Sequence, residues 1–249
     1  MGTVRTARSV RPARPGAVAA VVFDFYGTLV RMVPPLPPTH ESVFRARGLD
    51  GPAARWGDQW SVGPGDGEEH RTHSTTQETY VAWERDRLRR RALDCGVPAD
   101  QAADLAVELD RATKSLTLEA FGDVRAALVA VRERGLTVAI CSNWYWDLDR
   151  AVERTGLADL VDVVVTSARA GARKPHPLVY DAVLDACGVA PERALFVGDM
   201  WAADVLGPLS RGMRAVHLHR PDPAVRGTAP PLPDGAVRIT DLSALTDLL

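Results

Sequence analysis

The chain has 249 residues, 46% of them hydrophobic, 25% charged and 6% aromatic, a composition that excludes disordered, fibrous and disulfide-stapled miniature proteins. Its 30 basic and 32 acidic residues leave a formal net charge of −2, so no nucleic acid or anionic membrane surface is expected as a partner, and a small-molecule substrate is. No apolar run approaches the ~18 residues needed to cross a bilayer, and Cys95, Cys141 and Cys187 are odd in number and far apart, as in a cytoplasmic protein with reduced thiols.

In chain order, residues 1–16 carry Arg5, Arg8, Arg11 and Arg14 without an acid and read as a flexible, solvated tail. Residues 19–24 (AAVVFD) are a continuous apolar run ending in a carboxylate, the pattern of a strand buried on both faces of a parallel sheet. A proline-rich exit (PPLPP) then opens a charged, helical stretch over 34–118. It has a Gly-rich interruption at 63–67, and its strongest helices are at 80–95 and 98–116. An insert of that length is no plain loop, and a helical cap domain over the strand ends is expected. Further apolar runs at 136–142, 161–167, 194–199 and 214–218 alternate with helical patterns at 122–134, 147–155, 177–187 and 202–211. A polar, proline-rich loop at 221–235 precedes a terminal strand and helix at 236–249. Alternation of this kind predicts an α/β fold, a doubly wound, Rossmann-like parallel sheet formed by 17–33 and 119–249, with its ligand site at the carboxyl ends of the strands.

Those ends deliver Asp24, Ser142, Lys174 and Asp199 to one edge, with Asp204 five residues beyond Asp199. Only Lys114 and Lys174 of the 30 basic residues are lysine. A lysine kept against such an arginine bias marks a place that needs a compact ammonium. Three carboxylates brought together need a cation or a shared proton, and oxygen-only ligands suit Mg²⁺.

The segments VVFDFYGTLV, VAICSN, RKPHPLVY and FVGDMWAAD resemble, in order and separation, the four motifs of the haloacid dehalogenase superfamily, and the position of the insert matches that family's helical cap. The resemblance implies a hydrolase with Asp24 as nucleophile, forming a covalent aspartyl intermediate. Gly27 would permit the turn after the strand, and the Thr28 hydroxyl would bond the nucleophile or the substrate. Ser142 and the Asn143 amide would hold substrate oxygens, and Lys174 would keep Asp24 ionised. Mg²⁺ would be held by Asp24, Asp199 and the main-chain carbonyl of Tyr26, with Asp204 in a supporting or direct role.

Tyr26 departs from the phosphatase pattern, which has a second aspartate there as general acid and base. A phenol with a pKa near ~10 is a poor base at neutral pH. DFYGTL is similar to the metal-independent 2-haloacid dehalogenases, whereas GDMWAAD is phosphatase-like. A Mg²⁺-dependent phosphatase acting on a small phosphorylated metabolite is the favoured expectation, against a 2-haloacid dehalogenase and a non-catalytic binding protein. Tyr180, six residues after Lys174, fits the dehalogenase pattern and equally a helix core. Trp144, Tyr145, Trp146 and Trp201 read as an aromatic wall or as packing, and His217 and His219 as a satisfied strand pair. In the insert, Arg45, Arg47, Arg55, His70, His73 and Arg85 are candidates for substrate contact, and the run at 85–91 reads as a basic helix face.

Overall fold

The computed structural model describes residues 17–57, 64–221 and 230–249. The expected tail, residue 63 of the Gly-rich interruption and residues 222–229 of the proline-rich loop lie outside the described residues. Strand β1 (Ala20–Phe23) leads through a tight turn to β2 (Val30–Met32) and then to four helices, α1 (His40–Ala46), α2 (Asp50–Trp56), α3 (Gln77–Asp94) and α4 (Ala99–Thr113). The chain returns through β3 (Leu118–Ala120), α5 (Val124–Glu133), β4 (Thr137–Ser142), α6 (Leu148–Arg154), β5 (Val163–Thr166), α7 (Ser167–Ala170) and α8 (Pro177–Cys187). It ends with β6 (Ala194–Gly198), a π-helical segment (Trp201–Leu206), α9 (Gly207–Ser210), β7 (Arg214–Leu218), β8 (Ala236–Ile239) and a 3₁₀ segment (Leu242–Leu248). Two expectations are corrected: the 202–211 helix is π-helical in its first part, and the terminal helix is 3₁₀.

Six strands form one sheet in the order β5-β4-β1-β6-β7-β8, and every pair is parallel. Side chains alternate across it. Val21 and Phe23 of β1, Val138 and Ile140 of β4, and Leu195 and Val197 of β6 enter the core on one face. Val22, Ala139, Cys141, Ala194 and Phe196 enter the core on the other. Burial on both faces is why these strands read as unbroken apolar runs. After β1 the sheet grows outward through β4 and β5 on one side, and the chain then crosses back to add β6, β7 and β8 on the other, so β1 sits at the switch point where the strand ends open a crevice.

The helices between β2 and β3 have their own apolar core, in which Phe44 and Trp56 meet Leu88, Leu105 and Leu109. β2 and β3 pair antiparallel as a ribbon joining this helical insert to the sheet. A third link is a backbone ladder from the insert's loop to the segment bearing Lys174. Gly67 N donates to Lys174 O (3.3 Å), Arg173 N to Glu68 O (3.0 Å) and His70 N to Gly171 O (2.7 Å).

Candidate active site

Because β1 lies between β4 and β6, Asp24 immediately after β1 stands beside Ser142 at the end of β4 and Asp199 just after β6. Ser142 Oγ donates to Asp24 Oδ1 at 2.9 Å. Thr28 does not reach the nucleophile as expected; its Oγ1 donates to Asp199 Oδ1 at 2.9 Å. That approach needs Gly27, whose φ of +89° suits glycine and whose Cβ, if present, would stand 2.6 Å from Asp199 Oδ2. Asp199 is also fixed from behind. His217 Nε2 lies 3.2 Å from its carbonyl oxygen while Arg238 Nε donates to His217 Nδ1 at 3.0 Å, which sets a neutral imidazole with its proton on Nε2. The expected satisfied histidine is thus part of the site's support.

Lys174 is 2% exposed, and all three of its protons have acceptors: Asp204 Oδ1 at 2.6 Å, Asp24 Oδ1 at 2.7 Å and the Cys141 carbonyl at 3.0 Å. Burial works against the ammonium, but Asp204 and Asp24 outweigh it and hold the pKa of Lys174 above its ordinary value. Asn143 locks the lysine's backbone from both sides, its Oδ1 accepting from Lys174 N (2.7 Å) and its Nδ2 donating to Lys174 O (3.1 Å). That side-chain clamp went unseen in the sequence, which pointed only to the backbone amide of Asn143.

Asp24, Asp199 and Asp204 each offer an oxygen within 4.8 Å of the others. Three carboxylates around one ammonium leave a formal balance of −2 in a buried place. Burial, and then the charge of Asp24, push the Asp199 carboxyl up to about 6, and burial pushes Asp204 up against the pull of Lys174. An all-oxygen cluster two negative charges in excess fits a hard divalent cation. Asp204 uses both oxygens within the protein, Oδ1 on Lys174 and Oδ2 on the Met200 amide (2.9 Å).

Above the cluster lies a cavity of about 530 Å³. Asp24, Ser142, Asn143 and Lys174 form its floor, and Tyr26, 43% exposed, lines it with Trp144, Tyr145 and Arg173. The helical insert contributes Asp66, Tyr80 and Glu84. Trp146 and Trp201 do not line it; Trp146 packs on Tyr80 and Trp201 on His217. None of the insert residues singled out in the sequence lines it either. Arg45 pairs with Glu41 and Asp50, Arg47 with Glu108 and Arg85 with Asp110; Arg55 donates to the Cys95 carbonyl, and His70 and His73 stack on Trp83. The basic run is likewise paired, with Arg87 on Glu68 and Arg89 and Arg90 on Asp86.

A family model of haloacid dehalogenase-like hydrolases matches residues 18–209. The chain belongs to this family. It is 36% identical over 148 residues to a phosphoserine phosphatase of Thermus thermophilus, a match covering 57% of this chain and 59% of that protein. It is 30% identical over 182 residues to a ribulose-1,5-bisphosphate 5-phosphatase of Halopiger xanaduensis, covering 69% and 74%. The fold is that of a 2-haloacid dehalogenase from Pseudomonas syringae pv. Tomato DC3000, with a TM-score of 0.58 and 24% identity over 93% of this chain and 97% of the other.

In this haloacid dehalogenase-like hydrolase Tyr180 is a core residue. Its hydroxyl donates to the Ala203 carbonyl at 2.6 Å, and its ring packs on Phe196. The contact explains the π-helical segment that carries Asp204. Gly207 N donates back five residues to Ala202 O. In that register residue 208 would donate to Ala203 O, but it is a proline without an N–H, and Tyr180 supplies the missing donor. Gly207 makes room for it, since a Cβ there would lie 1.9 Å from the phenolic oxygen. Gly207→Ala should therefore dislodge Tyr180 and, through the π turn, Asp204. We expect a loss of about 1–3 kcal/mol in denaturant unfolding, together with weakened activity; an unfolding midpoint equal to that of wild type would refute this packing.

Proposed function

We propose that the chain is a Mg²⁺-dependent phosphomonoester hydrolase acting on a small phosphorylated metabolite through covalent attack by Asp24. The observation that carries the reading is the charge balance: two buried carboxylates, the half-buried Asp199 and one buried ammonium under a cavity make a site short of two positive charges. Asp24 and Asp199 would hold the ion, joined by the Tyr26 carbonyl, with Asp204 supporting through Lys174. When bound, the ion would neutralise the phosphate oxygens and the carboxylates together.

The protein's own groups do the rest. Ser142 and Lys174 both bond Asp24 Oδ1, fixing the carboxylate plane and leaving Oδ2 to attack phosphorus in line. Lys174, 2.7 Å from Asp24 Oδ1, sits under the developing negative charge. The backbone amide of Asn143 would donate to an arriving substrate oxygen, while the Ser142 hydroxyl spends its one proton on Asp24 Oδ1. Tyr26 can donate a hydrogen bond to the leaving oxygen but is a weak base for the water that releases phosphate from Asp24.

A plate assay tests the reading: phosphate release from a panel of small phosphomonoesters, beside chloride release from 2-chloropropionate, each with Mg²⁺ or EDTA. Phosphate release that EDTA stops is expected. Hydrolytic dehalogenation is the second reading, favoured by the phenol of Tyr26 in place of a carboxylate, and chloride release unaffected by EDTA would establish it.

The raised pKa of Asp199 adds a pH dependence. Without metal its ionised form costs stability above about pH 6, and the cost fades as the pH falls toward the ordinary carboxylate range. Mg²⁺ must displace that proton at low pH. Addition of Mg²⁺ should thus raise the melting temperature more at pH 7.5 than at pH 5, and Asp199→Asn should remove the rise at both. A rise of equal size at the two pH values would contradict the assignment of Asp199.

A further inference from the structure

Lys114, the second of the two lysines, has no part in the chemistry at Asp24, yet it stands at the end of α4 in an arrangement like that of Lys174. Its Nζ lies 3.0 Å from Glu84 Oε2 and 2.5 Å from Asp110 Oδ1, and 4.8 Å from the centre of the Tyr145 ring. Asp110 takes a second cation from the outer side, Arg85 Nε at 2.9 Å. Glu84 is only 6% exposed, and it lines the same cavity as Asp24, with Tyr80 one helical turn before it and Tyr145 across from it. Burial raises the pKa of Glu84 while Lys114 works to keep it ionised.

A carboxylate buried on a cavity wall and held there by a dedicated ammonium presents an acceptor to whatever fills the cavity. Lys114 and the neighbouring Tyr80 phenol leave part of the roughly four acceptor positions of the carboxylate open. Charge decides what takes them. Glu84 and Asp110 are already balanced by Lys114 and Arg85, and Arg173 on the wall beside Tyr80 is paired with Asp66, which lines the same cavity, at 3.4 Å. An ammonium would be an uncompensated cation, and an anion would face the carboxylate. A neutral hydroxyl satisfies Glu84 without changing the balance.

We propose that Glu84, oriented by Lys114, is a specificity-determining residue that accepts a hydrogen bond from a hydroxyl of the leaving group, so that the substrates are phosphate esters of polyhydroxylated alcohols. This rests on the phosphomonoesterase reading above. The test compares glycerol 1-phosphate with n-propyl phosphate, which lacks its two free hydroxyls, and with ethanolamine phosphate, which carries an ammonium. In wild type, kcat/KM for glycerol 1-phosphate should exceed that for n-propyl phosphate by at least ~10-fold, the discrimination of a hydrogen bond to a charged group. Ethanolamine phosphate should fall below glycerol 1-phosphate. In Glu84→Gln the ratio of glycerol to propyl ester should collapse toward one. A wild-type ratio near one overturns the proposal even if that variant fails to fold, as does a ratio unmoved in Glu84→Gln or a preference for ethanolamine phosphate. Release of chloride from 2-chloropropionate with no phosphate from any ester is a different result, which removes the phosphatase reading and this proposal with it.

Discussion

Asp24→Asn should lose turnover by at least ~10⁴-fold while keeping the fold. The carboxamide retains Oδ1, so the bonds from Ser142 Oγ and Lys174 Nζ have an acceptor in the same place. It lacks the charge and the second oxygen needed to attack an electrophile. The loss of a carboxylate also lowers the excess negative charge at the cluster from two to one, so the metal-free variant should be as stable as wild type or more so. Activity within tenfold of wild type in a folded Asn variant, by the same assay and an unfolding curve, would remove Asp24 from the role of nucleophile.

Lys174→Arg should lose at least ~10²-fold in kcat/KM although the charge is kept. The three acceptors of Nζ converge on one atom from Asp24, Asp204 and the Cys141 carbonyl, and the Phe196 ring closes the space 5.0 Å away. A planar guanidinium spreads its donors over several atoms and cannot place three of them at one point in a packed interior. Lys174→Met goes further: it leaves the buried Asp24 and Asp204 and the half-buried Asp199 with no protein cation, a change worth about 3–5 kcal/mol of stability, partly recovered by Mg²⁺. An Arg variant within about twofold of wild type would show that the site needs only charge, and the scarcity of lysine would then carry no meaning.

The core was legible because its signals are local. Strands buried on both faces leave unbroken apolar runs, and each run ends in the residue it delivers, which is how Asp24, Ser142 and Asp199 could be placed together from spacing alone. Other features depend on partners far apart in the chain. The β2–β3 ribbon is three residues a side, too short for a periodic pattern. Thr28 serves Asp199 rather than Asp24 because the turn at Gly27 swings it across to the end of β6. The π turn arises from Pro208 meeting Tyr180, and neither residue announces it alone. Glu84 was hidden in a helix whose charged residues all resemble a solvated face, and only the rarity of its partner Lys114 hinted at burial. The arginines that drew attention in the helical insert proved to be paired with neighbouring acids and carbonyls, out of the cavity.

The phenol of Tyr26 makes the covalent step directly observable. If Asp24 takes the phosphoryl group and the protein lacks a good base for its release, the aspartyl phosphate should accumulate during turnover. A rapid acid quench of wild type with a ³²P-labelled phosphomonoester and Mg²⁺ should then trap hydroxylamine-labile label on the peptide that contains Asp24, absent from Asp24→Asn and from samples with EDTA. Phosphate release with no trapped label at any quench time, or label that persists in Asp24→Asn, would contradict covalent phosphoryl transfer at Asp24.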